Sequence, residues 1–202
     1  MRASTFSDEL TKEGILVVVA LESEIQPSKW IFDIPIVYTG IGKVNAAIST
    51  QMAVISKSPK LVVNLGTAGA LHSKYLGLHE ISSVIQRDFD TFPLAPRGQV
   101  PFQKFPSVLT SDFGDIKCGT GDSFMTASED WVEENGIQLV DMELYSIARV
   151  CAEYKIPWRS TKYVTDIVGQ NSSDDWQNSL ESAQIELIGW FQKNFQELIE
   201  TK

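Results

Sequence analysis

Three observations in this 202-residue sequence predict an α/β fold, a central mixed or parallel sheet covered by helices on both faces. Short runs rich in β-branched residues recur, and runs such as "ILVVVA" and "LVVNLG" are too uniformly apolar for a half-solvated sheet. Segments with apolar residues at helical spacing alternate with those runs. No repeat or low-complexity linker divides the chain, so one domain is expected over 14–202.

Along the chain, residues 1–13 read as a soluble lead-in without the apolar stretch of a signal peptide. Strands are expected at "GILVVVA" (14–20), "IPIVYTG" (34–40), "KLVVNLG" (60–66), "HEISSVIQ" (79–86), "IQLVD" (137–141) and "WRSTKYVTD" (158–166). Val44, Ala47, Ile48, Met52 and Ile55 mark a helix over 43–56, and Leu144, Ile147, Ala148 and Cys151 a second over 142–152. The stretch 87–113, with Pro93, Pro96, Pro101 and Pro106, is expected to be a long irregular loop, usually a functional or flexible kind of segment. A long C-terminal helix is expected from Ser173, its N-cap, with Trp176, Leu180, Leu187, Phe191, Phe195 and Leu198 as a core-facing stripe.

Composition narrows the function. A hydrophobic content of 43% suffices for one sizeable core without disulfides or metal. The formal charge of −9 repels phosphate, which argues against nucleic acid or an anionic membrane as partner. Cys118 and Cys151 lie in apolar surroundings and read as buried reduced thiols of a cytoplasmic protein. His72 and His79 lack metal-ligand spacing, and no metal or other cofactor is expected.

Glycines cluster in "TGIGKV" (39–44), "NLGTAGAL" (64–71) and "CGTGDSF" (118–124), where loops at strand ends let backbone amides approach a ligand. "GIGKV" is no triphosphate loop, because Val37 and Val44 stand where that loop needs Gly and Ser or Thr. Asn45 likewise replaces the third glycine of a dinucleotide fingerprint. The acidic positions carry more. Glu24 follows "ILVVVALES", Glu143 follows "IQLVDM" and Asp166 ends "TKYVT", so three strands are expected to deliver a carboxylate to one edge of one sheet. Each alone could be a helix cap or a solvated acid; together they predict a site. Asp141, beside Glu143, is expected to stabilise the following helix through its dipole.

"GIGKVNAA", "NLGTAGAL", "GTGDSF", "VDMELYSIA" and "VTD", in this order and spacing, resemble the purine nucleoside phosphorylase and nucleosidase superfamily, most of all the 5'-methylthioadenosine/S-adenosylhomocysteine nucleosidases. The resemblance runs from about Leu16 to Gln170. It implies a three-layer α/β/α sandwich, a cofactor-independent homodimer, and cleavage of the N-glycosidic bond of a purine nucleoside. Phosphorylases carry arginines in an early glycine-rich loop and just before the "GT.G" motif. This chain has "ALESE" and "VVNLGTAG" there, so water is the expected nucleophile, with Glu24 activating it. The alternatives are a phosphate-dependent phosphorylase and a catalytically weak nucleoside-binding protein of the same fold.

The same resemblance assigns the site. Asp166 is implied as general acid toward purine N7, with Thr165 beside it. Glu143 is implied to accept hydrogen bonds from the sugar hydroxyls and Met142 to pack on the sugar. Phe124 and the Met125 backbone are implied to hold the base. Thr67 is implied to stand beside the nucleophilic water, and Gly69 to lie in the substrate site. Lys162 stands where relatives have an arginine near the water, keeping the charge without the bidentate fork. In the unusual loop "QRDFDTFPLAP" (86–96), Arg87, Asp88 and Asp90 are expected either to line a specificity pocket or to form a surface ion-pair cluster.

Overall fold

The computed structural model describes residues 11–169 and 172–200, so most of the 1–13 lead-in lies outside the described residues. Strand β1 (Ile15–Val19) is buried at every position, as its uninterrupted apolar run demands. It pairs in parallel with β2 (Ile36–Tyr38) on one side and β3 (Leu61–Ala70) on the other. Beyond β3 the order is β7 (Leu139–Asp141), β6 (Ile116–Thr120), β4 (Gly77–Gln86) and β5 (Val108–Thr110). Strand β8 (Trp158–Ile167) runs parallel to β3 and antiparallel to β4. The sheet is therefore mixed, and β3, β7, β6, β4 and β8 close into a ring.

Alternation along β1 feeds two cores. Leu16 and Val18 face α1 (Lys43–Lys57) and α3 (Leu144–Tyr154), packing with Ala46, Ala53, Val54, Ile147 and Cys151. Ile15, Val17 and Val19 face α4 (Ser172–Glu200), packing with Leu187, Trp190, Phe191 and Phe195. This is the expected three-layer α/β/α arrangement. A short helix α2 (Asp130–Glu134) adds Val132 to a third cluster with Ile85, Met125 and Val140. Both cysteines are free and buried. Among the described residues no helix is long and apolar enough to cross a membrane.

Three expectations need correction. The stretch 87–113 is not irregular throughout, since β5 occupies its end, and β6 is a further strand within "IKCGT". Three residues after a proline-rich segment, and a run holding Lys117 and Gly119, leave no apolar stretch to read. Helix α1 is present as expected; Ala46, Thr50, Ala53 and Val54 make its inward face, while Val44, Ile48, Met52 and Ile55 are 54–68% exposed. At the C-terminus α4 begins at Ser172, so Ser173 lies inside the first turn and does not cap it; the side chains of Ser173 and Trp176 lie outside the described residues. Finally, the three carboxylates do not share a simple carboxyl edge: β7 runs antiparallel to β3, meeting it at Gly69 and Ala70.

Candidate active site

Where β7 meets β3, a cavity of about 220 Å³ is lined by Glu24, Glu143 and Asp166 together with Thr67, Gly69, Phe124, Met125 and Met142. All three acids are buried, at 4%, 7% and 6% exposure. Exposed carboxylates would need no partners; buried ones do, and each is held in place.

Glu24 reaches the cavity from the turn after β1, where its N–H donates to Leu21 O (3.1 Å). Its Oε2 accepts from Leu21 N (3.2 Å), and Oε1 accepts from both Thr67 N and Thr67 Oγ1 (2.7 Å each). Thr67 thus orients Glu24. Gly66 leaves space for that contact: a Cβ there would stand 3.3 Å from both Glu24 Oε1 and Lys162 Nζ.

Asp166 owes its direction to an irregularity. The β3–β8 register shifts between Ala68 and Gly69, pairing Val164 with Ala68 but Asp166 with Gly69, so Thr165 is the extra residue of a bulge. The Thr165 hydroxyl donates to Asp166 Oδ1 (2.8 Å). A Cβ on Gly69 would lie 3.1 Å from Asp166 Oδ2, so this glycine makes room for the carboxyl group.

Glu143 occupies the N-cap position of α3 without capping it through its side chain; its Oε1 instead accepts from Gly42 N (2.9 Å), a residue at φ 94°. Burial first, then the charge of Asp141, pushes its pKa from 4.5 to about 7, against the opposing influence of Lys162 and the Gly42 N–H. Asp141 accepts from Thr120 Oγ1 (2.6 Å) and Leu144 N (2.8 Å) and pairs with Lys162 Nζ (2.9 Å). The expected helix-end contact is therefore present, and a buried counter-ion joins it. Burial would raise the Asp141 pKa, but Lys162 and these donors outweigh it and hold it below the usual value. Burial alone would lower the Lys162 pKa; Asp141 and Glu143 instead raise it.

Lys162 and Thr165, expected to touch substrate, do not line the cavity: Lys162 lies beneath it, 2% exposed, and Thr165 stands behind Asp166. The loop 86–96 divides between its two expectations. Arg87 lines the cavity, whereas Asp88 pairs with Lys43 (2.6 Å) and accepts from Asp122 N (2.8 Å), and Asp90 accepts from Phe92 N (3.0 Å) in a local turn. Sequence reasoning missed Ile41, Val140 and Val168 in the wall, although Ile41 lies inside "TGIGKV" and Val140 immediately precedes the acidic motif.

A mixed sheet with carboxylates gathered over an apolar wall defines a class, and the comparisons agree with it. The phosphorylase superfamily model matches residues 33–200, and the chain belongs to that superfamily. Within it, the chain belongs with the 5'-methylthioadenosine/S-adenosylhomocysteine nucleosidases: it is 34% identical to the one from Oceanobacillus iheyensis over 72% of this chain and 73% of that protein. It is 31% identical to one from Bacillus cereus, over 79% of each. Among solved structures, the Helicobacter pylori nucleosidase superposes with a TM-score of 0.82 at 19% identity, covering 94% of this chain and all of that one. The futalosine hydrolase of Helicobacter pylori superposes at 0.81 with 20% identity, covering 91% and 97%. These last two show the fold.

Proposed function

We propose that this chain hydrolyses the N-glycosidic bond of a purine nucleoside, with methylthioadenosine and S-adenosylhomocysteine, named in its relatives, as the first candidates. The observation that carries the reading is the convergence of Glu24, Glu143 and Asp166 on one cavity. Glu24, oriented by Thr67, takes a proton from the attacking water. Glu143 accepts hydrogen bonds from the sugar hydroxyls, and its charge gains value as the sugar becomes cationic. Met142 packs on the sugar and Phe124 and Met125 on the base, while Asp166 protonates the purine. Lys162, paired with Asp141 under the floor, sets the field around Glu143 and contacts no substrate.

Water is favoured over phosphate because Asn64, just before the glycine motif, offers no cation. Its Nδ2 donates to Val18 O (3.0 Å) and its Oδ1 accepts from Ser160 Oγ (2.9 Å), tying β1, β3 and β8 together. The test is a panel of purine nucleosides in phosphate-free buffer, read by base release. Release that requires phosphate, or none at all, refutes the reading.

Glu143 makes binding pH-dependent. Its folded pKa lies above the unfolded value, so its contribution to stability falls as pH rises from 4.5 to about 7. Sugar hydroxyls donate to the ionised form, so nucleoside affinity should rise through about pH 7, with proton release. Calorimetry in two buffers of different ionisation heat measures this; Glu143→Gln should abolish it, and affinity that ignores pH in the wild type would contradict the assignment.

The reading includes a homodimer in the cytoplasm. Val44, Ile48, Met52 and Ile55 leave an apolar stripe on α1 open to solvent, which supports self-association, and the buried free thiols suit a reducing compartment. Ile48→Asp should yield monomers in sedimentation; a wild type that already sediments as a monomer would exclude the dimer.

A further inference from the structure

Arg87 follows β4 and is 2% exposed, yet it lines the cavity. Its guanidinium donates only to neutral acceptors: Nη1 to Ser123 Oγ (3.1 Å), Nη2 to Gly121 O (3.4 Å) and to Ser123 O. Its Nε is buried without a hydrogen-bond partner. Gly121 permits this placement, since a Cβ there would stand 2.8 Å from Arg87 Cζ.

The acids around Arg87 are engaged elsewhere. Asp88 pairs with Lys43 (2.6 Å), Asp141 with Lys162 (2.9 Å) and Glu129 with Arg97 (2.7 Å). Arg87 is therefore a buried cation with no carboxylate in direct contact among the described residues; Asp88 first, then Asp141 and Glu129, act on it only through space, and each of them is bonded to another cation. Its place in the cavity is informative. Ser123, which it holds, leads directly into Phe124 and Met125, the end with the apolar wall of Val140 and Val168. Glu24, held by Thr67, also lines the cavity and acts on Glu143 through space.

On the proposed binding mode Glu143 meets the sugar, while Arg87 is tied through Ser123 to the segment that holds the base, an arrangement that matches the charge separation of glycosidic cleavage. We propose that Arg87 stabilises the departing base, a role that rests on the nucleosidase reading. The bond between the sugar C1' and purine N9 breaks with its electron pair passing to the purine. The water oxygen bonds to C1', its proton goes to Glu24, and the Asp166 proton goes to N7. Arg87 exchanges no atom; it lowers the energy of negative charge on the ring while proton transfer lags bond cleavage.

The test compares two nucleosides sharing one sugar, one bearing adenine and one bearing 6-chloropurine, a base that holds the electron pair more readily unaided. Arg87→Gln should lower kcat/KM for the adenine compound by roughly 100-fold, and for the chloropurine compound by only about 10-fold. A merely structural role would lower both alike, and equal losses in an enzyme active on both overturn the inference. Ser123→Asp gives Arg87 a carboxylate partner without removing it, and it should shift the ratio the same way even if Arg87→Gln does not fold; an unchanged ratio overturns the inference. If the wild type releases neither base, the inference falls together with the nucleosidase reading, an outcome distinct from equal losses.

Discussion

Asp166→Asn is expected to lower base release by roughly 10²–10⁴-fold while leaving the melting temperature near that of the wild type. Asparagine matches the carboxyl group in size and can still accept the Thr165 hydroxyl bond at Oδ1, so the bulge on β8 has no reason to rearrange. It cannot give up a proton, and the purine must then leave with its full negative charge. Steady-state rates with the best substrate of the panel, alongside thermal melts, separate chemistry from folding. A variant as fast as the wild type would remove Asp166 from the mechanism.

Lys162→Met is expected to cost about 3–5 kcal/mol of folding stability in urea titrations, because it strands a buried carboxylate without its partner. Lys162 lies among Asp141, Glu143 and Glu24, and each of these raises its pKa. Removing the cation also withdraws what restrains Glu143, so the pH midpoint for nucleoside binding should move above about 7. Adding Asp141→Asn should restore part of the stability by removing the stranded charge. The pair also gives an acid signature. The Asp141 pKa is lowered, so its contribution is complete above the unfolded value of 3.8 and is lost as pH falls through the folded one. A Lys162→Met protein as stable as the wild type would contradict the ion pair.

The two sets of residues differ in how far sequence could foresee them. "ILVVVA" and "LVVNLG" announced strands covered on both faces, because a long apolar run has few other fates. The acids at the ends of such runs stood out as costly to bury, and Glu24, Glu143 and Asp166 do share a cavity. What escaped detection depends on contacts between distant segments. Nothing local to "TKYVT" says that Lys162 turns toward Asp141, since that follows from β3 lying between β7 and β8. The side that α1 buries could not be read in the sequence, because small residues, Ala46 and Ala53, fill its inward face while larger ones stay outside. Arg87 was legible only as an ambiguity, because whether a loop charge is solvated depends on packing against Gly121 and Ser123.

Strand β8 carries Asp166, the proposed proton donor, and between Thr161 and Val164 it is laced to β3 on one side and β4 on the other. Backbone amides there should be among the last in the molecule to exchange with deuterium, since opening them requires parting two seams at once. Any breathing that admits a nucleoside and releases its fragments is then expected in less tightly paired segments, such as the one bearing the half-exposed Phe124. Asp166 would then keep its place while a nucleoside enters and leaves.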